Sequence, residues 1–161
     1  QHLLDSENMA ELAAFCTVSW ATSAESDAGS GSWEAAACRC LQDLEILEPD
    51  WLALLKQWEQ APELPGFAPQ DPEKLERIAV YFAFRYLLKA VNDGDLLGRA
   101  QFCALGVLVT DRLSRFAGLP EALRLFSREI EHDEDNLDTL LEQFWQTEGL
   151  SLSALLAAFG G

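Results

Sequence analysis

The stretch that decides the fold is PEKLERIAVYFAFRYLLKAVN (residues 72–92), followed by DGD (93–95) and LLGRAQFCALGVLVTDRLSRFA (96–117). Asp71 and Pro72 supply a cap and a first-turn proline for one helix, and Gly94 is suited to end it in a left-handed conformation. Asp95 caps the next helix, and Gly118 ends it. Residues 78–88 carry one charge and residues 102–109 carry none, so both helices are predicted to be apolar nearly all round. They form a predicted central antiparallel pair, at about 72–92 and 95–117.

The rest of the chain also carries residues that typically begin and end helices. Further helices are predicted at about 5–24, 33–47, 49–60, 120–132 and 133–146, with a short one after Ser151. No stretch alternates with period two for more than four or five residues, which argues against strands. The sequence therefore predicts one all-α domain over residues 1–161, an irregular bundle of about seven to eight helices. Residues 26–32 (SDAGSGS) form a predicted flexible loop, and residues 61–72, with four of the six prolines, form a predicted extended connector.

Composition excludes several classes of protein. The 161 residues include 27 Asp and Glu but only 11 Lys and Arg, giving a formal net charge of −16. Nucleic acids and anionic membranes attract clustered basic residues, so neither is an expected partner. With 49% hydrophobic residues the chain has enough apolar material for a core. No uncharged run approaches the roughly 18 residues of a membrane-spanning helix. Because the sequence begins without methionine, we expect it to be a piece of a longer protein.

Four cysteines are too few for a disulfide scaffold in a chain of this length. Cys16 and Cys103 lie in apolar runs and are predicted to be buried free thiols. Cys38 and Cys40 form a Cys-x-Cys pair. A metal site built from all four cysteines remains an alternative, and it requires Cys16 and Cys103 to converge on that pair.

A polar stripe runs along the helix predicted at 72–92. Arg77, Tyr81, Arg85 and Lys89 follow one another at i, i+4 spacing. A buried guanidinium needs a partner, and Glu129 and Glu131 flank the apolar face of the helix predicted at 120–132. We therefore expect these glutamates to pair with Arg85 and hold the two helices in register. A polar pocket that binds an anion or a carbonyl group is the alternative.

Other motifs predict no catalytic or metal site. Glu129 and His132 form Glu-x-x-His, but the second such motif of a di-metal bundle is missing, since the only other histidine is His2. Asp93-Gly94-Asp95 lacks the rest of a calcium loop. The acidic run 131–135 suits a helix N-terminus, and attraction of a lysine-bearing substrate is the alternative interpretation. No phosphate-binding loop and no nucleophile–histidine arrangement is present.

Two segments carry a family resemblance. YFAFRYLLKAVNDGDLLG (81–98), together with LFSREIEH (125–132) followed by Asn136, resembles the C-terminal helical part of the flagellin lysine N-methylase family. The likeness is specific over about residues 78–137. It implies transfer of a methyl group from S-adenosylmethionine to lysines of flagellin, in the bacterial cytoplasm before export. Family members also carry an N-terminal Cys-x-x-x-Cys-Cys type cluster for iron–sulfur or another metal, and this chain has no such cluster.

The resemblance therefore implies that catalysis needs an N-terminal domain outside this sequence, and no cofactor is expected to bind this chain itself. The chain would contribute a polar helix–helix seam beside that domain. Its candidate residues are Arg77, Tyr81, Arg85, Tyr86, Lys89, Ser127, Arg128, Glu129, Glu131, His132 and Asn136. The competing hypothesis is a non-enzymatic acidic interaction module, with a partner groove formed by the proline-rich connector (61–72) and the five tryptophans, of which Trp33, Trp51 and Trp58 lie close in sequence.

Overall fold

A computed structural model describes residues 33–61 and 69–160 of the protein. Within these ranges it has seven helices and no strand, so the all-α prediction is confirmed. The helices are α1 (Trp33–Asp43), α2 (Pro49–Gln60), α3 (Pro72–Tyr86), α4 (Leu96–Ala117), α5 (Leu119–Phe126), α6 (Glu134–Phe144) and α7 (Leu152–Gly160). The predicted helix at 5–24, the loop at 26–32 and residues 62–68 of the connector lie outside the described residues.

Shorter helical turns extend these elements. A 3-10 turn, Leu87–Lys89, follows α3, and a short helical turn, Ala90–Asp93, then leads to Gly94. Another 3-10 turn, Glu148–Leu150, precedes α7. A π-helical turn, Ser127–Glu131, continues α5. The predicted helix at 72–92 is thus an α-helix for fifteen residues and tightens before it ends.

Aspartate side chains cap three of the helices, two of them at the predicted positions Asp71 and Asp95. The side chains of Asp71, Asp95 and Asp133 accept hydrogen bonds from the backbone N–H groups of Lys74, Gly98 and Asn136, at 3.1, 2.8 and 2.8 Å. Gly94 and Gly118 have φ of 76° and 79°, in the region that only glycine adopts without strain. Short sequence signals therefore fix where α3, α4 and α6 begin and where the helical segments before Asp95 and Leu119 end.

Helix α4 is the axis of the bundle, with a buried stretch that runs from Gln101 to Ser114 except at half-buried Cys103. Helix α3 lies antiparallel to it, since Phe82 packs at the level of Gly106 while Tyr86 contacts Phe102, with ring centroids 4.6 Å apart. A Cβ atom at position 106 would lie 3.0 Å from the Phe82 ring. The predicted central pair is therefore correct, and glycine at 106 permits the close approach.

The expected burial of α3 on nearly all sides is wrong. Only Leu75, Phe82 and Tyr86 are buried on this helix, whereas Val80 and Phe84 are exposed. The reason is that α3 packs on α4 along one side and faces outward on the other. Apolar content alone cannot distinguish a surrounded helix from one with an uncovered apolar face.

The core joins α3, α4 and α5 to the α1–α2 hairpin. Phe82 has its ring centroid 6.0 Å from that of Phe102 and 5.7 Å from that of Phe126, and Phe126 also contacts Trp51 at 6.4 Å. Trp51 and Trp58 are buried, and Trp33 is half-buried against Trp58. These three tryptophans therefore pack in or against the core and do not line an exposed groove.

The thiols of α1 are part of this core. Cys38 and Cys40 are buried free cysteines, with Cys38 Sγ 3.9 Å from the carbonyl oxygen of Leu55 and Cys40 Sγ 3.8 Å from Thr147 Oγ1. Cys103, expected to be buried, is half-buried. Cys16 lies outside the described residues. No group of three or more potential metal ligands is found in residues 33–61 and 69–160.

Cys38 is expected to resist alkylation in the folded protein. Burial, with added repulsion from Glu59 and Glu34, raises the pKa of the Cys38 thiol to about 12, and the thiolate is the reactive form. Peptide mapping after iodoacetamide treatment at neutral pH should show Cys38 unmodified in native protein and modified in urea. Equal labelling under the two conditions would contradict the placement of Cys38.

No helix in the described part of the chain is both long and apolar enough to cross a lipid bilayer.

Candidate functional site

The two segments that carry the family resemblance meet at the carboxylate of Glu131. The hydroxyl groups of Tyr81 and Tyr86 each donate a hydrogen bond of 2.8 Å to Glu131 Oε1. Arg85 Nε lies 3.6 Å from the same oxygen and donates to the Tyr86 hydroxyl at 3.1 Å. The Glu131 side chain is only 3% exposed. The expected pairing of Arg85 with Glu131 is therefore present, and the two tyrosines bind the carboxylate more closely than the arginine does.

Two basic side chains cover the tyrosines from outside. The Arg85 guanidinium lies 5.8 Å from the Tyr81 ring centroid and 5.7 Å from that of Tyr86, and Lys89 Nζ lies 5.3 Å from the Tyr86 centroid. These distances are those of cation–π contacts. The Arg85 side chain is 43% exposed, so the expectation of a buried guanidinium is wrong. We call Tyr81, Arg85, Tyr86, Lys89 and Glu131 the tyrosine–Glu131 cluster.

Glu129 and Glu131 both lie in the π-helical turn, and the side chains of both are buried. The turn is closed by a 3.0 Å hydrogen bond from the backbone N–H of His132 to the carbonyl oxygen of Ser127. Residues i and i+2, such as Glu129 and Glu131, lie on nearly opposite sides of a helix. Glu131 accordingly faces α3, and Glu129, fully buried, faces the loop between α1 and α2. Such π turns are rare and concentrate at functional sites.

Glu129 does not pair with Arg85, which corrects the prediction. Its Oε2 accepts a 3.0 Å hydrogen bond from the backbone N–H of Leu47, and its Oε1 accepts one of 2.6 Å from that of Glu48. The carboxylate therefore acts as the acceptor for a stretch of backbone that belongs to neither helix α1 nor α2. Its partner is a loop and not a cation.

Asn136 binds the same loop. Its side-chain oxygen accepts from the backbone N–H of Glu45 at 2.9 Å, and its amide nitrogen donates to the carbonyl oxygens of Glu45 and Glu129 at 2.8 and 2.9 Å. Asn136 is 3% exposed. We call Glu129 and Asn136 the loop anchor, because together they fix residues 45–48 against the start of α6.

The remaining candidate residues lie outside both groups. Arg77 forms an ion pair with Glu73 on its own helix, and both side chains are more than 70% exposed. Arg128 is exposed, with Nε 3.4 Å from Glu48 Oε1. Ser127 contributes its carbonyl group to the π turn, and His132 is exposed. The predicted seam thus divides into a tyrosine–Glu131 cluster, a loop anchor, three solvated side chains and one backbone contribution to the π turn.

Sequence reasoning missed a buried charge pair elsewhere in the bundle. Arg112 Nη2 lies 2.7 Å from Glu34 Oε1, and the two side chains are 7% and 14% exposed. Trp58 Nε1 donates to the other Glu34 oxygen at 2.9 Å. The available signal was position, because Arg112 closely follows the uncharged run 102–109 on the same helix. A charge in the most apolar helix of a bundle predicts a buried partner on a neighbouring helix.

The chain has two tyrosines, Tyr81 and Tyr86, and both belong to the cluster. Burial, followed by hydrogen bonding to Glu131, raises the pKa of Tyr81 to about 12 and raises the pKa of Tyr86 above its ordinary value. Tyrosinate absorbance at about 295 nm therefore reports on this cluster alone.

A spectrophotometric titration should show little tyrosinate at pH 10, the ordinary tyrosine pKa. Since the unfolded chain ionises first, the stability contributed by the neutral tyrosines is complete below about pH 10 and is lost as the pH rises towards 12. Glu131→Gln removes the negative charge, so it should lower both apparent pKa values. Tyr86→Phe should leave a single transition, that of Tyr81. Two ordinary transitions near pH 10 in native protein would show that the tyrosines do not bind Glu131.

No family model, characterised protein or solved structure matches the chain. The chemistry of the site therefore rests on its own geometry. The Glu131 carboxylate is buried and already accepts two hydroxyl groups, whereas Arg85 and Lys89 remain exposed at the edge of the cluster. The site is therefore suited to fixing α3 against the π turn and to presenting positive charge outward.

Proposed function

We propose that this chain is the C-terminal helical domain of a flagellin lysine N-methylase-like protein, in which it has a structural or substrate-positioning role. One observation carries the proposal. The two segments that resemble the family, 81–98 and 125–136, are far apart in sequence but share the hydrogen bonds from Tyr81 and Tyr86 to Glu131. Contact between two segments that both carry the resemblance is what a retained functional surface predicts.

The described residues do not fit the metal cluster that the resemblance implies. Cys38 and Cys40 lie in the core with their sulfur atoms directed at Leu55 and Thr147, and no group of three potential ligands is found in residues 33–61 and 69–160. The tyrosine–Glu131 cluster also does not fit S-adenosylmethionine, because its buried carboxylate is already bound by two tyrosines. Methyl transfer therefore belongs, in this proposal, to an N-terminal domain outside the given sequence.

Within the intact protein, Arg85 and Lys89 would face the catalytic domain or the protein substrate. Both are exposed, and the Arg85 guanidinium is held over two aromatic rings, so its position is fixed without an enclosed ion pair. Preorganised cations of this kind bind carboxylates with little loss of side-chain entropy. A lysine-bearing substrate such as flagellin would then present its acidic residues to this edge. The cytoplasm, where flagellin resides before export, is the proposed location.

The decisive experiment uses the intact protein and measures transfer of a labelled methyl group from S-adenosylmethionine to flagellin. Arg85→Met and Glu131→Gln should each lower the transfer rate while leaving the helical circular dichroism signal unchanged. Arg77→Met is the matched control, since Arg77 lies on the same helix but forms its ion pair with the exposed Glu73. Equal activity in all three variants would contradict a role for the cluster.

Two further measurements separate the parts of the proposal. The coding sequence upstream of Gln1 should contain a Cys-x-x-x-Cys-Cys type cluster. Calorimetric titration of the present chain with S-adenosylmethionine should give no binding heat, and a measurable affinity would place the cofactor site in this domain instead.

The alternative is a non-enzymatic acidic interaction module. The observation that favours it is apolar exposure away from the tyrosine–Glu131 cluster, since the Trp145 side chain is 70% exposed at the end of α6. Under this alternative, Trp145→Ser would abolish partner binding and the intact protein would transfer no methyl group.

A further inference from the structure

Exposed apolar side chains are concentrated in α3 and just after it. Ten large apolar side chains are exposed in the part of the chain that the structure describes, and seven of them lie between positions 80 and 97. Val80, Phe84 and Leu88 follow one another at i, i+4 spacing and are 49%, 57% and 36% exposed. Val91, three residues further on, is 71% exposed. Isolated exposed apolar residues are ordinary, but a row of them on one side of a helix marks an interaction surface. We call Val80, Phe84, Leu88 and Val91 the outer face of α3.

The segment that carries the outer face is electrically neutral in a strongly acidic chain. Residues 71–99 include five acidic and five basic residues, whereas the formal net charge of the whole chain is −16. Two copies of the chain therefore repel each other least when they meet through this segment. Repulsion between their other surfaces falls off within a Debye length, about 8 Å at physiological ionic strength. Three of the five cations are already neutralised inside the segment, in the ion pairs Lys74–Asp71, Arg77–Glu73 and Arg99–Asp93.

Two exposed charges at opposite ends of the outer face have no such ion pair. Glu76 lines the same surface depression as Val80, so it lies at the N-terminal end of the face. Lys89 comes directly after Leu88, at the C-terminal end, and its ammonium group contacts the ring of Tyr86. Within residues 33–61 and 69–160, neither Glu76 nor Lys89 forms an ion pair. The face therefore has an unpaired negative charge at one end and an unpaired positive charge at the other.

Such a face is complementary to a second copy of itself. In an antiparallel pair of identical helices, a two-fold axis at Phe84 places Val80 of one copy opposite Leu88 of the other, because both lie four residues from Phe84. The same axis brings Glu76 to the end of the helix that carries Lys89 in the other copy. The two positions are then offset by about 5 Å along the helix axis, within the reach of a lysine side chain. A two-fold dimer requires this kind of self-complementary patch.

We propose that two copies of this chain form a dimer in which the outer faces of α3 pack antiparallel about a two-fold axis. Phe84 packs against Phe84 of the second copy, and Glu76 pairs with Lys89 of the second copy, so that the ion pair occurs twice. The occupant of the face is thus the same protein. The inference goes beyond the proposed function, and of the two cations named there it uses Lys89 alone.

Sedimentation velocity of the full chain over a range of concentrations tests the apolar part of the interface. The wild-type chain should show a monomer–dimer equilibrium. Phe84→Glu places two carboxylates together at the two-fold axis and should raise the dissociation constant at least about a hundredfold. The matched control is Phe116→Glu, because Phe116 is 40% exposed near the end of α4 and lies outside the face. This control should leave the equilibrium unchanged, and circular dichroism should show the same helix content in both variants.

The charge part of the interface has a test that only a two-fold dimer can pass. Glu76→Lys and Lys89→Glu each place like charges opposite one another twice, so each should raise the dissociation constant about tenfold. An equal mixture of the two variants should dimerise with nearly wild-type affinity. In the mixed dimer, the lysine at position 76 of one copy faces the glutamate at position 89 of the other, and the native Glu76 and Lys89 face each other.

Three results would overturn the proposal. The first is a wild-type chain that sediments only as a monomer at high micromolar concentration, which would leave the outer face to a different protein or to another segment of this chain. The second is a dimer that persists in the Phe84→Glu variant, because its interface would then lie elsewhere. The third is a mixture of the Glu76→Lys and Lys89→Glu variants that dimerises no better than either variant alone, which would refute the antiparallel arrangement.

Discussion

Glu129→Ala is expected to lower the free energy of unfolding by about 3 kcal/mol, because two backbone donors lose a charged acceptor. The carboxylate is fully buried and accepts from the N–H groups of Leu47 and Glu48. Alanine cannot accept a hydrogen bond from its side chain, and it leaves a void where water has little access. Urea denaturation followed by circular dichroism measures the loss.

The matched control is Glu142→Ala, which also removes one carboxylate but from an exposed position on α6. Its effect should stay within about 0.5 kcal/mol, as for most surface substitutions. Asn136→Ala should be destabilising as well, and its effect should not add to that of Glu129→Ala, since both residues hold the same loop. A Glu129→Ala variant as stable as the control would show that residues 45–48 do not depend on this carboxylate.

The sequence predicted where the helices begin and end better than it predicted which sides of them are buried. Asp71 and Asp95 were recognisable as caps because capping is a local interaction between residues three positions apart. The burial of α3 was overestimated, since the apolar character of Val80 and Phe84 is the same whether or not another element covers them. Local sequence signals show that a segment forms a helix. Which other helices pack on it depends on contacts between residues that are distant in sequence.

The candidate site was predicted in part for the same reason. The need of Arg85 for a partner, and the position of Glu131 on a later helix, could both be inferred from charge patterning. Glu129 was misassigned because the prediction assumed a regular helix over residues 120–132 and a cation as the partner of each buried carboxylate. A π turn and a loop with free N–H groups satisfy the same electrostatic requirement, and neither has a clear sequence signature.

Phe82→Ala is expected to cost about 4 kcal/mol, the range for removing a buried aromatic ring. Phe82 is fully buried and its ring contacts those of Phe102, Tyr86 and Phe126, which join α3, α4 and α5. Phe116→Ala is the control, because Phe116 is 40% exposed near the end of α4. It should cost about 1 kcal/mol or less. Equal losses of unfolding free energy in the two variants would show that the buried Phe82 ring contributes no more to stability than the exposed Phe116 ring.

Gly106 provides a sharper test of the same contact, because glycine in the middle of a helix costs about 1 kcal/mol relative to alanine. Glycine occupies position 106 despite this cost, because a Cβ atom there would lie 3.0 Å from the Phe82 ring. Gly106→Ala should therefore gain less than its full helix-propensity benefit, or destabilise, in the wild-type chain. In the Phe82→Ala background the ring is absent and the same substitution should stabilise by about 1 kcal/mol. If Gly106→Ala changed stability equally in both backgrounds, the close approach of α3 and α4 at this point would be refuted.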